Sequence, residues 1–433
     1  MRAPLLRHRS PADFERRPGA AVDAEALAAA TPIVAAVRIS GEAALRAYAE
    51  RFGDVAPGAP LWHGHAALAQ ALACLPADDR ERLERVAERI RVFAEAQRCA
   101  LAAVTVPLPG GAAGQWIAPV ERAGCYAPGG RYPLPSSVLM TAVTARVAGV
   151  REVWVASPKP APLVLAAAAL AGAEGLLAAG GAHAIAALAY GAGPIAPCDV
   201  IVGPGNRYVT AAKQLVAGST AIDLLAGPSE LTVLADEAAD PERVAADLLA
   251  QAEHDPAAVP LLVTTDLRLA ERVEAELERQ LSDLATADVA RAALANGGVI
   301  VVANVDEAIA VCDAIAPEHL QLELRGAAEV APRLAHYGAV FLGPDGAEVL
   351  GDYGAGPNHV LPTGGTARAR GGLSVYTFLR VRTWLRLDDG PAARPLIEDA
   401  VWLSRAEGLE AHARAAERRL DRSRSPRDGG GWR

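Results

Sequence analysis

Two side chains at the end of one amphipathic stretch are the first candidates for chemistry: Gln251 and His254 in "DLLAQAEHDPAAVP". Asp240-Pro241 reads as an N-cap followed by a proline in the first turn of a helix. That helix places Val244, Leu248 and Gln251 on one face, with His254 one turn later, before an Asp-Pro that should end it. A spacing of three brings an amide and an imidazole to one side, which suits two ligands of one metal. A His set against the helix dipole and a Gln bonded to neighbouring backbone would satisfy the same spacing. Two donors do not complete a metal site, so the others have to come from elsewhere in the chain.

Four further stretches offer polar side chains in suggestive settings. "GDYGAGPNH" carries Asp352 and His359 in a Gly-rich segment read as a loop, where backbone freedom lets polar groups converge; the ordinary alternative is a solvated turn. "APEHLQLEL" sets Glu318 and His319 side by side between a helix and a strand. At such a junction both can address one cleft, His moving a proton near neutral pH and Glu activating water; otherwise they are a charged pair in solvent. "GLEAHARAAERRL" offers His412 on a helix, with Glu407 just before Gly408, and a lone His there is ordinarily a surface or capping residue. "IVGPGNRYVTAAKQL" runs strand, turn and helix, and a helix N-terminus behind glycines can hold a phosphate. No G-x-G-x-x-G follows any strand, so the usual dinucleotide fingerprint is missing.

The elements that must position these residues are legible in outline. The 433-residue chain is 52% hydrophobic, enough for a large interior and more than one domain. A net charge of -9 argues against a nucleic-acid binder and favours small molecules or other subunits as partners. The five cysteines are scattered without a Cys-x-x-Cys pair, which fits thiols in a reducing compartment. Only Lys159 and Lys213 are lysines, leaving little room for Schiff-base chemistry. The weakly charged stretch from 160 to 197 is interrupted by "AAGGAHA" and parses as helix, strand, helix, so no membrane span is expected; the N-terminus lacks a signal-type apolar core, and the cytoplasm is the expected location.

Residues from about 20 to 103 read as helical, most clearly where Leu83, Val86, Ile90 and Phe93 recur at helical spacing. From Arg122 onward short apolar strands alternate with Ala-rich helices, first in "VREVWVASP" and "CDVIVGPGN", then in "ELTVLAD", "VPLLVTTD" and "GVIVVAN". This alternation predicts an α/β fold made of two parallel, Rossmann-like doubly wound domains. Beyond Pro391 two helices divided at Gly408 precede a basic tail.

Taken in order, "CYAPGGRYPLPSSVLM", "GGAHAIAALAYG", "VGPGNRYVTAAK", "DLLAGPSE", "LLAQAEHDP", "APEHL" and "GDYGAGPNHVLPTGGTAR" resemble the signatures of the histidinol dehydrogenase family, over residues 30 to 420. The resemblance implies a homodimer with active sites shared between subunits, one Zn2+ per subunit, and NAD+ as cofactor. It implies Gln251, His254 and Asp352 as zinc ligands, with His412 supplied by the partner subunit's arm. It makes Glu318 and His319 the catalytic pair, gives Ser229, His359 and Glu407 to the substrate together with the catalytic and zinc residues, and gives Tyr126 and Asn206 to the cofactor. The family commonly has Gln where this chain has His183, and imidazole can replace one amide hydrogen bond but not both donor and acceptor at fixed geometry.

The corresponding layout is an N-terminal helical region (1–121) expected to pack with residues 229–375, and a Rossmann-like domain on the cofactor side (122–228). A second such domain (229–375) carries the metal and catalytic side, a helical dimerisation arm spans 376–422, and 423–433 form a disordered tail. The reaction implied is oxidation of L-histidinol through L-histidinaldehyde to L-histidine. The competing expectations are a related zinc and NAD alcohol dehydrogenase acting on another alcohol such as sulfopropanediol, a zinc hydrolase, and a non-catalytic assembly protein on the same scaffold.

Overall fold

The computed structural model describes residues 4–13, 22–129 and 132–420; the tail expected to be disordered lies outside them. Along the chain the elements begin with α1 (Ala24–Arg51), β1 (Trp62–Gly64), α2 (His65–Ala73), α3 (Ala77–Cys99), β2 (Val104–Leu108) and β3 (Gly111–Pro119). There follow β4 (Arg122–Tyr126), α4 (Pro135–Ala148), β5 (Glu152–Ala156), α5 (Pro162–Leu170), β6 (Gly175–Leu177), α6 (Gly181–Tyr190), β7 (Val200–Val202), α7 (Arg207–Val216) and β8 (Ala221–Ile222). A second alternating series holds β9 (Glu230–Ala235), α8 (Pro241–Ala252), β10 (Val259–Thr264), α9 (Leu267–Leu281), α10 (Ala287–Leu294), β11 (Gly298–Val301) and α11 (Val305–Ile315). It continues through β12 (His319–Glu323), α12 (Ala327–Val330), β13 (Ala339–Leu342) and α13 (Glu348–Asp352), and the last elements are β14 (Leu379–Leu387), α14 (Gly390–Ala406) and α15 (Glu410–Glu417).

Two compact units emerge, Met1–Arg98 with Val120–Phe378, and Cys99–Pro119 with Leu379–Arg433. The larger contains two sheets. One has the order β1-β6-β5-β4-β7-β8, parallel except for the antiparallel edge strand β1. The other has the order β11-β10-β9-β12-β13 and is parallel throughout. In each, the chain first winds outward in one direction and then returns to the far side of its starting strand, so the order reverses at β4/β7 and at β9/β12. Both faces of the second sheet are covered, as buried apolar strands require. Leu231, Val233 and Ala235 pack with residues of α8, α9 and α10, while Leu234, Leu320 and Leu322 pack with α11 and α12.

The N-terminal region departs from the expected layout. Ala26, Ala30, Val34, Val37, Leu45 and Ala49 of α1 enter the core of the first sheet beside Ile185, Leu188, Val209 and Ala212 of α6 and α7. Thus α1 packs on 122–228 and not on 229–375, because its small residues match the Ala-rich surface of α6. Helix α1 is the one helix among the described residues long and apolar enough to cross a membrane by length and composition, and six of its residues lie in this core. Two pieces do reach the second sheet's side. Val299 N–H donates to Arg7 C=O at 2.8 Å and Arg9 N–H to Val299 C=O at 2.9 Å, extending the β11 edge. In addition, α3 donates from Arg89 Nε to Gly354 C=O at 2.7 Å.

In the smaller unit β14, β3 and β2 form an antiparallel sheet. The expected helical arm therefore contains a nine-residue strand, β14, and the last part of the N-terminal region is sheet. Val381, Thr383 and Trp384 in "LRVRTWLRL", β-branched and aromatic, favour an extended chain. The two predicted helices follow, α14 and α15, separated at Gly408 with φ +78°. Val381, Leu385, Trp116 and Trp402 are exposed on this unit.

Candidate active site

Glu318 and His319, the expected acid/base pair, are presented by a short turn. Helix α11 stops at Ala316, which is left-handed at φ 52° and ψ 60°, and Pro317 follows. Two bonds from the next strand seat the turn: Gly338 N–H donates to Pro317 C=O and Ala339 N–H to Glu318 C=O, both at 2.9 Å. His319 then opens β12, in register with Leu231 of β9 and Ala339 of β13. This lets adjacent side chains converge: Glu318 Oε2 lies 3.8 Å from His319 Nδ1, and both residues are buried.

Glu230, the first residue of β9, fixes both. Its N–H donates to Glu318 Oε2 at 2.9 Å and its C=O accepts from His319 Nδ1 at 3.1 Å. The site therefore lies at the amino ends of β9 and β12, where the strand order reverses. Crevices of doubly wound sheets ordinarily open at the carboxyl ends. The crossover through α8 runs back to this amino edge, so the end of α8 delivers Gln251 and, just past the Glu253 C-cap, His254.

The Gly-rich segment expected to be a loop contains α13, which packs against α8 and β12. It ends at Asp352, whose Oδ1 is 3.5 Å from His319 Nε2, and begins at Glu348, whose Oε1 is 3.6 Å from His319 Nδ1. His319, Glu348 and Asp352 each offer a ligand atom within 4.8 Å of the others. His359 donates from Nδ1 to Asp352 C=O at 2.9 Å and meets Ser137 Oγ of α4 through Nε2 at 3.4 Å, joining the second sheet's site to the first sheet's carboxyl edge. Ser229, directly before β9, is partly exposed at this edge.

The electrostatics follow from burial among carboxylates. Desolvation opposes a charge on His319, but Glu318, Glu348 and Asp352 outweigh it and raise the ring to about 10. Burial raises Glu318 to about 7, Glu230 to about 7 and Glu348 to about 8. Asp352 moves the other way: burial pulls it up, yet His319, His359 and His254 together hold it below the ordinary carboxylate range. His359 is lowered, chiefly by burial, and stays neutral at pH 7.

Gln251 is fully buried, and neither atom of its amide has a hydrogen-bond partner among the described residues. An unsatisfied buried amide costs about 1–3 kcal/mol, and such a group calls for a partner outside the chain, a water or a bound ion. Of the expected zinc donors, Asp352 joins His319 and Glu348 in the cluster found among the described residues, while Gln251 lies in the last turn of α8, which runs to the same edge, and His254, just past its C-cap, is exposed. His412 and Glu407 belong to the smaller unit, on α15 and at the C-cap of α14, and both are exposed. Sequence reading missed Glu348 and Glu230. Glu348 precedes Asp352 by four residues, a spacing with meaning only once that segment is known to be helical. Glu230 acts mainly through its backbone, which side-chain reasoning does not see.

The proposed cofactor residues gather at the carboxyl ends of the first sheet. Tyr126 ends β4, and its hydroxyl accepts Gly181 N–H at 3.2 Å. His183 is buried, with Nε2 2.8 Å from Asp54 Oδ2, an atom that also accepts Gly180 N–H at 2.8 Å. Asn206 caps α7 by accepting from Tyr208 and Val209 N–H.

Two doubly wound sheets, with a buried carboxylate–imidazole pair at one switch point and the unpartnered amide of Gln251 on the helix that runs to the same edge, define an α/β protein with residues able to do acid/base chemistry. The family model for histidinol dehydrogenase matches residues 16–420. The histidinol dehydrogenase of Thermus thermophilus is 50% identical over 391 residues, 89% of this chain and 93% of its own length. That of Nitratidesulfovibrio vulgaris is 50% identical over 398 residues, 89% of this chain and 91% of its own. The crystal structure of histidinol dehydrogenase from Elizabethkingia anophelis superposes with a TM-score of 0.89 at 31% identity, covering 97% of this chain and 99% of that one. The chain belongs to the histidinol dehydrogenase family.

Proposed function

We propose that the protein oxidises L-histidinol to L-histidine through L-histidinaldehyde, with two NAD+ in succession, on a site that holds one Zn2+. The observation that carries this reading is the buried, unpartnered amide of Gln251 delivered to the same sheet edge as Glu318 and His319. Gln251, His254 and Asp352, with His412 of the partner subunit, make a borderline N/O donor set that fits zinc. Zinc would orient the substrate through its imidazole and amino nitrogens and hold it against the catalytic pair.

The remaining chemistry falls to the chain's own side chains. In the first half-reaction His319 takes the alcohol proton as hydride leaves the carbinol carbon for NAD+, giving aldehyde, NADH and one proton. In the second, Glu318 deprotonates water as it adds to the aldehyde. His319 takes the proton of the resulting hydrate, and a second hydride leaves to give carboxylate and NADH. Were Asp352 engaged as a zinc ligand, one of the carboxylates that hold the proton on His319 would be withdrawn, and the ring would fall toward the neutral form a base needs. Glu407 of the partner subunit, Ser229 and His359 are assigned to the substrate.

Tyr126, His183 and Asn206 are assigned to the NAD+ side. Their position at the β4/β7 switch point and the α7 N-terminus supports this. The exposed Val381, Leu385 and Trp402 on the smaller unit support a homodimer. The five free thiols, three of them buried, support a reducing cytoplasm. The deciding experiment is NADH counted per histidinol consumed. Two supports the four-electron reaction, one indicates a simple alcohol dehydrogenase, and none, with ester or amide turnover, indicates a hydrolase.

A further inference from the structure

Gln321, in the middle of β12 and fully buried, uses both ends of its amide. Its Nε2 donates to Asp247 Oδ2 on α8 at 2.5 Å and to Glu323 Oε1 at 2.9 Å, while its Oε1 accepts the backbone N–H of Glu348 at 3.2 Å. The last bond serves as the cap that α13 otherwise lacks, since Ala347 provides no side-chain acceptor. A helix of five residues cannot hold itself in place.

Two of the three residues Gln321 grips bear the same relation to the proposed donors. Asp247 lies four residues before Gln251 on α8, and Glu348 lies four residues before Asp352 on α13. On a helix that spacing puts each pair on one face, one turn apart. A single amide anchored on the strand that begins at His319 thus fixes both helices one turn back from their donors.

We infer that Gln321 is a positioning residue, setting the separation between the α8 donors Gln251 and His254 and the α13 donor Asp352 and so the affinity for zinc. The inference rests on the zinc reading above. No other neutral side chain of this length donates to two carboxylates while accepting from an N–H. Groups that orient a metal's ligands typically change its affinity tenfold to a hundredfold when removed.

The test is chelator competition for Zn2+ on the full-length protein, with kcat measured at limiting and at saturating zinc. Gln321→Met should bind zinc roughly ten- to a hundredfold more weakly and recover most of its kcat in excess zinc, which damage to the fold alone would not allow. Asp247→Leu should do the same, whereas Asp247→Asn, which keeps an acceptor for Nε2, should restore affinity; this pair decides the matter if Gln321→Met does not fold. Wild-type zinc binding with unchanged affinity in Gln321→Met or Asp247→Leu overturns the inference alone. A wild-type protein that takes up no zinc overturns the zinc reading and the inference with it.

Discussion

His319 donates through Nδ1 to the main-chain carbonyl of Glu230, at 3.1 Å. Because a carbonyl only accepts, this bond assigns the proton of the neutral ring to Nδ1 and leaves Nε2 as the basic nitrogen. The same residue holds Glu318 through its N–H. Glu318 and His319 are therefore both positioned by main chain at the sheet's edge, whatever side chain stands at 230, and the roles proposed for them can be tested separately by substitution.

Glu318→Gln should oxidise histidinol to the aldehyde at close to the wild-type rate and lose about 10²–10⁴ in aldehyde oxidation, the usual worth of a general base. Burial lifts Glu318 to about 7, and a base acts only when deprotonated, so wild-type aldehyde oxidation should rise with pH through about 7. That limb should vanish in the variant. Separate assays on alcohol and aldehyde test this; equal losses in both would reject the division of labour.

His412→Asn and His254→Asn homodimers should each bind zinc weakly. A mixed dimer carrying one substitution per chain should recover one intact site of its two, giving about half the wild-type zinc, because a site drawing His412 from the partner subunit escapes both changes in one of its two combinations. Zinc content of the purified heterodimer checks this, and a folded heterodimer without recovery would exclude an arm shared between subunits.

Gly338 lies against the catalytic turn: a Cβ there would stand 2.5 Å from Glu318 C=O and 3.2 Å from Leu361 Cβ and Pro362 Cδ. Gly338→Ala should cost about 1–3 kcal/mol through overpacking, and it should lower kcat because the displaced oxygen belongs to Glu318, the proposed base for water. Urea unfolding and kcat together report on it; a variant unchanged in both would show that the turn gives way freely.

Much of this arrangement is legible in the residues. Alternating apolar runs such as "ELTVLAD" and "VPLLVTTD" indicate parallel strands because both faces are covered, and Asp240-Pro241 marks the start of α8 as found. What stays hidden depends on tertiary partners. Helix α13 sits among glycines and forms because Gln321 caps it from another strand. Val86 and Phe93 fit the helical period of α3, yet they stand against the Gly354–Gly356 turn while Ala87 and Ala94 enter the core. Nothing in "GGAHA" announces that His183 meets Asp54, a contact between residues 129 apart.

The carboxyl of Asp247 offers a test of linkage in the fold without metal. Burial raises it from 3.8 to about 6, against the opposing bond from Gln321 and with help from Glu323. The sign follows from where the proton is held. The folded state keeps it up to about pH 6, while the unfolded chain releases it near 3.8, so between these values the folded state binds more protons. This group's contribution to stability therefore falls as pH rises from 4 to above 6 and is level outside that window. Asp247→Asn removes the ionisation and keeps an acceptor for Gln321. Its stability relative to wild type should climb by on the order of 2 kcal/mol between pH 4 and pH 7, taking about 1.4 kcal/mol per unit and allowing for partial solvent access. Urea denaturation of both proteins at fixed concentration, with chelator present, measures the difference. Parallel pH profiles would mean that Asp247 ionises in the folded protein as it does in water, and that the Gln321 bond with solvent offsets its burial.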